Sequence, residues 1–274
     1  ISAVKFGHAM VIGCGGLGAG ITPILAATGV GEITLVDDDI VEESNLHRQT
    51  LFTEEDARQK RKKVNCSADY LRARNSRITI NAVEKRFTPS TADEIFRSSD
   101  SGLPDVVIDA TDNKAARYAI NDGCVRMGIP LVFGASIDTT GQYAVYNYNG
   151  GPCLRCVHPN GDQGGDCRCA DHGVFGAVPS LIGNLQAQEA IKIIEEVVRK
   201  REKDNGNPSF TKTPLRVVEQ AMKMYDARDG SWMSVKQRRN PHCRVCGTGK
   251  REPTTETEER ERSGKGNDRQ LITD

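Results

Sequence analysis

The chain has 274 residues, and its 37 Lys+Arg exactly offset 37 Asp+Glu, so the formal net charge is zero. That balance excludes a general electrostatic attraction to nucleic acid or to an anionic membrane surface, and no apolar run approaches the ~18 residues that would cross a bilayer. Nine cysteines, four of them in two CxxC pairs, suit a reducing compartment and a metal better than a disulfide framework; with no secretory pattern at the start, a soluble cytoplasmic protein is expected.

In chain order, residues 7–12 read as a buried strand running into Gly13-Cys14-Gly15-Gly16-Leu17-Gly18. A helix over 16–28 follows, with Ile21, Ile24 and Leu25 at helical spacing, and Gly29 and Gly31 end it. Residues 32–37 form a second buried strand, which completes a βαβ unit and implies a parallel sheet. The pattern then predicts one helix over 54–73, strands over 77–83 and 103–110, a helix over 114–127 and a strand over 130–133. An antiparallel strand over 142–148 follows, with Tyr143, Tyr146 and Tyr148 as one packed face. Residues 150–169 are loop-like. A long helical pattern over 174–198 has Leu181, Leu185, Ile191 and Ile194 as core candidates. Residues 199–208 read as a mobile connector, and 215–218 and 222–226 as two late strands. The division is one domain over 1–249 and a tail over 250–274. The tail is charged at roughly half its positions and too poor in aliphatics to fold alone.

Gly13, Gly15 and Gly18 satisfy G-x-G-x-x-G between a strand and a helix, and Asp37 follows at the end of the second strand. Glycines let the backbone approach phosphates, the helix N-terminus offers unpaired N–H groups, and the acid accepts ribose hydroxyls, so a nucleotide is expected. Three later features separate phosphate chemistry from redox chemistry. Asp37-Asp38-Asp39-Ile40 leads to Ser44-Asn45-Leu46-His47-Arg48-Gln49; Lys63 lies on the next helix; Thr111-Asp112-Asn113 lies past the carboxyl end of a strand. Cations stabilise charge on phosphoryl oxygens and an acid can hold Mg²⁺, whereas hydride transfer needs neither. Taken alone, Arg58, Lys60, Arg61, Lys62 and Lys63 form a basic run that reads as a solvated face.

Cys153-x-x-Cys156 and Cys243-x-x-Cys246 supply four thiolates, enough for one tetrahedral Zn²⁺ that would clip the C-terminal region onto the body. Reduced core cysteines or a redox pair are the alternatives. Cys169 stands just before a helix, where the dipole favours its thiolate, and Cys167 rivals it as nucleophile or extra ligand. Cys14, Cys66 and Cys124 read as core residues, and His158, His172 and His242 as incidental neighbours of cysteines.

These segments together resemble the MoeB/ThiF family of ubiquitin-activating-type enzymes. The resemblance rests on Gly-Cys-Gly-Gly-Leu-Gly, Leu-Val-Asp-Asp-Asp, Ser-Asn-Leu-His-Arg-Gln and Ala-Thr-Asp-Asn. Gly151-Pro152-Cys153-Leu154-Arg155-Cys156 and Leu185-Gln186-Ala187-Gln188-Glu189-Ala190-Ile191-Lys192 extend it, so that it runs from about His8 to Gly247. It implies an α/β fold: a doubly wound, mostly parallel Rossmann-like sheet with an antiparallel extension and one structural zinc site. It also implies a homodimeric, ATP-dependent enzyme that uses Mg²⁺. Such an enzyme adenylates the C-terminal glycine of a small β-grasp partner ending in Gly-Gly, ubiquitin-like or a sulfur carrier, and passes the acyl group to a thiol or sulfide.

By motif, the resemblance implies that Gly15 and Gly16 meet the nucleotide and Asp37 its ribose. Asp39, Asn45, Arg48 and Lys63 line the phosphates, and Asp112, beside Asn113, holds the magnesium. Arg48, Lys63, Asp112 and the nucleophile Cys169 are the implied catalytic set, and Cys153, Cys156, Cys243 and Cys246 the zinc ligands. The family lysine falls on Lys63 rather than Arg61 because only Lys63 keeps the spacing to Leu71, Asn75, Ile78 and Ile80. Cys169-Ala170-Asp171-His172-Gly173-Val174 is similar to the family's Cys-Ala-Asp-Gly-Gly-Val. Family members carry an Arg-rich segment before the first strand, where Lys5 is the one cation among the residues preceding His8. A nicotinamide-dependent oxidoreductase and a non-catalytic nucleotide-binding partner protein are the competing readings.

Overall fold

The computed structural model describes residues 3–159, 173–206 and 215–248. Cys167, Cys169 and His172, and the tail over 250–274, lie outside the described residues. Strands β1 (His8–Ile12), β2 (Glu32–Val36), β3 (Thr79–Val83), β4 (Val106–Asp109) and β5 (Leu131–Ile137) run parallel. Strands β6 (Thr140–Tyr146), β7 (Ala221–Asp226) and β8 (Ser231–Lys236) continue the sheet antiparallel, in the order β3-β2-β1-β4-β5-β6-β7-β8. Val11 of the first strand pairs with Leu35 on one side and Ile108 on the other.

The helices are α1 (Gly16–Thr28), α2 (Glu54–Arg58), α3 (Lys63–Arg74), α4 (Ala92–Phe96), α5 (Lys114–Met127), α6 (Leu154–Val157) and α7 (Ala177–Asp204). Because both faces of the parallel strands are covered, β1, β2 and β4 are buried at every position. Ala9, Val11, Leu35 and Ile108 turn to one side, against Ile21, Leu25, Val64, Leu71 and Ile182 of α1, α3 and α7. Met10, Ile12, Val107 and Phe133 turn to the other, against Ile95, Phe96, Ile120 and Leu154 of α4, α5 and α6. α1 and α7 touch backbone to backbone: a Cβ on Gly20 would lie 2.7 Å from the Ser180 carbonyl oxygen, and one on Gly183 would strike that of Leu17.

Several sequence expectations need correction. The single helix expected over 54–73 is two. Thr53 and Asp56 form a capping box that starts α2, then Lys60 turns left-handed at φ 50. Arg61 folds back to donate to Asp56 Oδ1 and Asp69 Oδ2, each at 2.7 Å, so α3 restarts at Lys63. The expected connector over 199–208 is helical through Asp204, because Arg199 bonds Glu195 at 2.7 Å and Arg201 clamps Asp105 at 3.0 Å and the Phe6 carbonyl at 2.7 Å. Tyr143 and Tyr148 face one core and Tyr146 the other, so they are not one face. Ile182 and Gln186, rather than Leu181 and Leu185, occupy the fully buried line of α7. Residues 215–218 are not a strand, while β8 is one that the sequence did not signal. All its side chains are exposed, so it carries no inside–outside alternation.

Candidate functional site

The strand order reverses between β1 and β4, so the loops leaving their carboxyl ends diverge and open a crevice, the place where open α/β sheets bind ligands. A cleft of about 190 Å³ lies there. Its floor is the glycine loop. Gly13 has φ 101, and a Cβ on it would sit 2.6 Å from the Ala110 carbonyl oxygen, so only glycine lets the two loops meet. α1 begins at Gly16 with no side-chain cap, which leaves its first N–H groups for a ligand. A Cβ on Gly16 would meet Pro179 at 3.2 Å and the Arg48 carbonyl oxygen at 3.4 Å, so the loop is flanked by α7 and by the Arg48 segment.

Gly15, Gly16, Asp37, Asp39, Arg48, Lys63, Asp112 and Asn113 all border this cleft; Asn45 does not, but touches Arg48. Asp37 accepts the Cys14 N–H at 2.7 Å and the Asp39 N–H at 2.8 Å. Burial pushes its carboxyl above the ordinary range, and the two N–H groups only partly oppose this. A carboxylate offers about four acceptor positions, so room for ribose hydroxyls remains.

Lys63 is not a solvated charge. Its side chain is 8% exposed and its Nζ lies 3.1 Å from Asp39 Oδ2. Its neighbours in the basic run are held elsewhere, Lys62 on the Asp38 carbonyl and Arg61 on Asp56 and Asp69. Arg48 donates to Asn45 Oδ1 at 2.5 Å and lies 3.3 Å from His47 Nε2. Since a guanidinium only donates, His47 accepts there and gives its Nδ1 proton to the Ser44 carbonyl at 3.0 Å.

On the far side of the crevice, Thr111 donates its N–H (2.9 Å) and hydroxyl (2.7 Å) to Asp109 Oδ1, while Asn113 Oδ1 accepts the Ala116 N–H at 3.1 Å and starts α5. Asp112, between them, is left exposed toward the cleft. Burial raises the Asp109 carboxyl, with the Arg117 charge opposing. Sequence reasoning assigned no role to several residues here. Gln49 is 4% exposed with Oε1 buried and unpartnered; Lys85, Arg86 and Phe87 follow the end of β3; Arg117 sits one turn into α5. The strand-end rule that picked out Thr111-Asp112-Asn113 also reaches these segments.

A second cluster lies at α6. The four thiols of Cys153, Cys156, Cys243 and Cys246 lie within 4.8 Å of one another, none in a disulfide, and could hold a metal ion. Burial raises the Cys153 thiol, and a bound cation would offset this by stabilising its thiolate. α6 is fastened to α5: the Leu154 N–H bonds Asn121 Oδ1 at 2.8 Å, and the Arg155 fork grips Asp122 at 2.7 and 2.8 Å while lying 4.6 Å over the Tyr118 ring. Cys14, Cys66 and Cys124 are buried elsewhere.

The chain matches the ThiF family over residues 2–245. It is 40% identical over 240 residues to the adenylyltransferase and sulfurtransferase MOCS3 of Arabidopsis thaliana, which covers 87% of this chain and 47% of that protein. It thus spans about half of that relative's length. Identity to the sulfur carrier protein adenylyltransferase of Thermus thermophilus is 37% over 257 residues, covering 92% of this chain and 85% of the relative. The structure of E. coli MccB with ATP has the same fold, with a TM-score of 0.71 at 22% identity over 90% of this chain and 68% of MccB. With the match extending over nearly its whole length, the chain belongs to the ThiF family.

Proposed function

We propose that this protein is an ATP-dependent adenylyltransferase that activates the C-terminal carboxylate of a small sulfur-carrier or ubiquitin-like protein. The observation that carries this is the switch-point cleft, where a helix N-terminus, a ribose-type acid, two cations and an exposed carboxylate converge. Hydride transfer has no use for Arg48, Lys63 and Asp112, and the relatives named above are adenylyltransferases.

In this reading the N–H groups at Gly15 and Gly16 receive the phosphates and Asp37 the ribose. Asn45 seats Arg48, and Arg48 and Lys63 balance the charge that grows as pyrophosphate departs. Asp39 keeps Lys63 oriented. Asp112, exposed beside the fixed start of α5, would hold Mg²⁺, which neutralises phosphate charge while keeping most of its waters. The substrate carboxylate is ionised already and needs no base. Its oxygen bonds to the α-phosphorus, and the bond to the pyrophosphate oxygen breaks with its electron pair.

The four thiols fit Zn²⁺. Sulfurs ~2.3 Å from a tetrahedral zinc stand ~3.8 Å apart; the Sγ–Sγ separations of 3.9, 3.6 and 3.3 Å fall to either side of that value, with all four sulfurs within 4.8 Å of one another. With four protein ligands the role is structural. A small β-grasp protein ending in Gly-Gly suits the open edge at β8, where Trp232 and Met233 are exposed. The acyl group would then pass to a thiol or sulfide, with Cys169 as acceptor in a cytoplasmic homodimer. No helix among the described residues is long and apolar enough to cross a membrane.

The test is ATP–pyrophosphate exchange with an added sulfur-carrier protein. The wild type should exchange, Asp112→Ala should not, with an unchanged circular-dichroism spectrum, and Cys169→Ala should exchange but form no thiol-labile adduct. Tight NAD binding without exchange would sink the reading.

A further inference from the structure

The adenylation reading leaves a fixed cation of the cleft without a role. Arg117 is half-buried on α5 and borders the cleft on the β4–β5 side. Its Nε and one terminal nitrogen donate to the Thr111 carbonyl at 3.3 and 2.8 Å, and the guanidinium lies 5.5 Å over the Phe133 ring of β5. These contacts fix the plane of the fork and leave N–H groups of its other terminal nitrogen uncommitted. Of the remaining cleft cations, Lys63 is engaged on Asp39, Lys85 on Glu94 and Arg48 on Asn45, while Arg86, past the end of β3, is exposed to solvent rather than held in place. Asp109 lies buried beneath Arg117 and feels its charge, but Asp109 Oδ1 is taken by Thr111 and no carboxylate among the described residues makes an ion pair with Arg117. A preorientated, partly desolvated guanidinium in a cleft is a receptor for a carboxylate or phosphate oxygen.

Position distinguishes the two. Asp37, Asp39 and Lys63 lie at the β2 side of the crevice, and the β1 and β4 strands separate them from β5. The antiparallel strands β6, β7 and β8, with the open edge, lie beyond β5 on the Arg117 side. A polypeptide tail arriving from a protein docked on that edge crosses β5 and meets Arg117 before it reaches the glycine loop.

We propose that Arg117 binds the terminal carboxylate of the incoming polypeptide and aims it at the α-phosphate. The proposal rests on the adenylation reading. One carboxylate oxygen is held by the fork while the other forms the bond to phosphorus; pyrophosphate leaves with the electron pair, and no proton is transferred.

The test uses the full chain saturated with a non-hydrolysable ATP analogue and Mg²⁺. The probes are a synthetic peptide ending in Gly-Gly with a free carboxylate and the same peptide as its carboxamide, with binding measured by calorimetry. The wild type should bind the carboxylate at least about 10-fold more tightly, the scale of a hydrogen bond to a charged group. Arg117→Met should erase that preference while leaving the analogue's affinity within about twofold, and Arg117→Lys, a charge without a fork, should fall between. A preference that survives in Arg117→Met overturns the proposal. So does a parallel loss of analogue affinity, because Arg117 would then only be holding the Thr111 loop. A wild type that binds no ATP analogue removes the adenylation reading, and this proposal with it.

Discussion

Lys63 and Arg61 stand two positions apart in one basic run, yet their surroundings are opposite. Lys63 is buried against Asp39 at the cleft, whereas the Arg61 side chain is 38% exposed and joins two acids outside it. Lys63→Ala and Arg48→Ala should each lower exchange about 10²-fold or more, the scale of removing a preorganised electrostatic stabiliser. Arg61→Ala should leave exchange near wild type; its exposed pair with Asp69 contributes at most about 1 kcal/mol, and loss of the pair with the largely buried Asp56 should cost about 1–3 kcal/mol more. Steady-state exchange and urea titrations of the three variants decide the matter; if Arg61 is the sensitive position, the lysine has been misplaced. The spacing from Lys63 to Leu71, Asn75, Ile78 and Ile80 was legible in the sequence. Its burial was not, because it depends on the left-handed turn at Lys60 and on the Lys63 N–H bonding the Asp39 carbonyl at 3.0 Å, 24 positions away.

Elements whose ends are written in local chemistry were legible. α1 and α5 stop at Gly29 and Gly128, both left-handed, and α5 starts on the Asn113 cap, so the expected and observed spans coincide. The packing of α1 on α7 was not legible, since nothing local to Gly20 or Gly183 says that they face each other. Gly183→Leu should force these backbones apart and cost about 1–3 kcal/mol or more, read as a lowered thermal midpoint. Because the Leu17 carbonyl that it would strike directly follows Gly16, the same variant should also weaken nucleotide binding. The α6 clip carries a separate prediction. Cys243→Ser/Cys246→Ser should lose the bound metal by elemental analysis and melt at a lower temperature, because a structural site contributes folding energy directly. Full zinc stoichiometry in that variant would move the ligand role to other cysteines.

Across the whole molecule the sheet is asymmetric. The parallel half carries the cleft, and the antiparallel half ends in β8, an edge unpaired among the described residues, whose Trp232 and Met233 are 50% and 62% exposed. Tyr225 packs on Trp232 with ring centroids 4.9 Å apart, which holds that side chain in place. Replacing the pair, Trp232→Ala with Met233→Lys, should raise the KM for the protein substrate about 10-fold, as removal of an aromatic anchor does. The affinity for ATP should not change. Equal losses of both would mean that the edge supports the fold and not the partner.

The sequence by itself determined the residues of the candidate sites: the glycine loop, Asp37, Thr111-Asp112-Asn113 and both CxxC pairs. Each of these is a short-range pattern in which turn geometry, strand ends and ligand spacing are set by residues a few positions apart. Only the tertiary structure decided which charges are usable. Lys63 meets Asp39 across 24 positions, the cysteine pairs meet across 90, and Arg117 enters the cleft because Phe133 and the Thr111 carbonyl receive it. Contacts of that range are chosen by how two packed cores close around one twisted sheet, and local spacing carries no record of that closure.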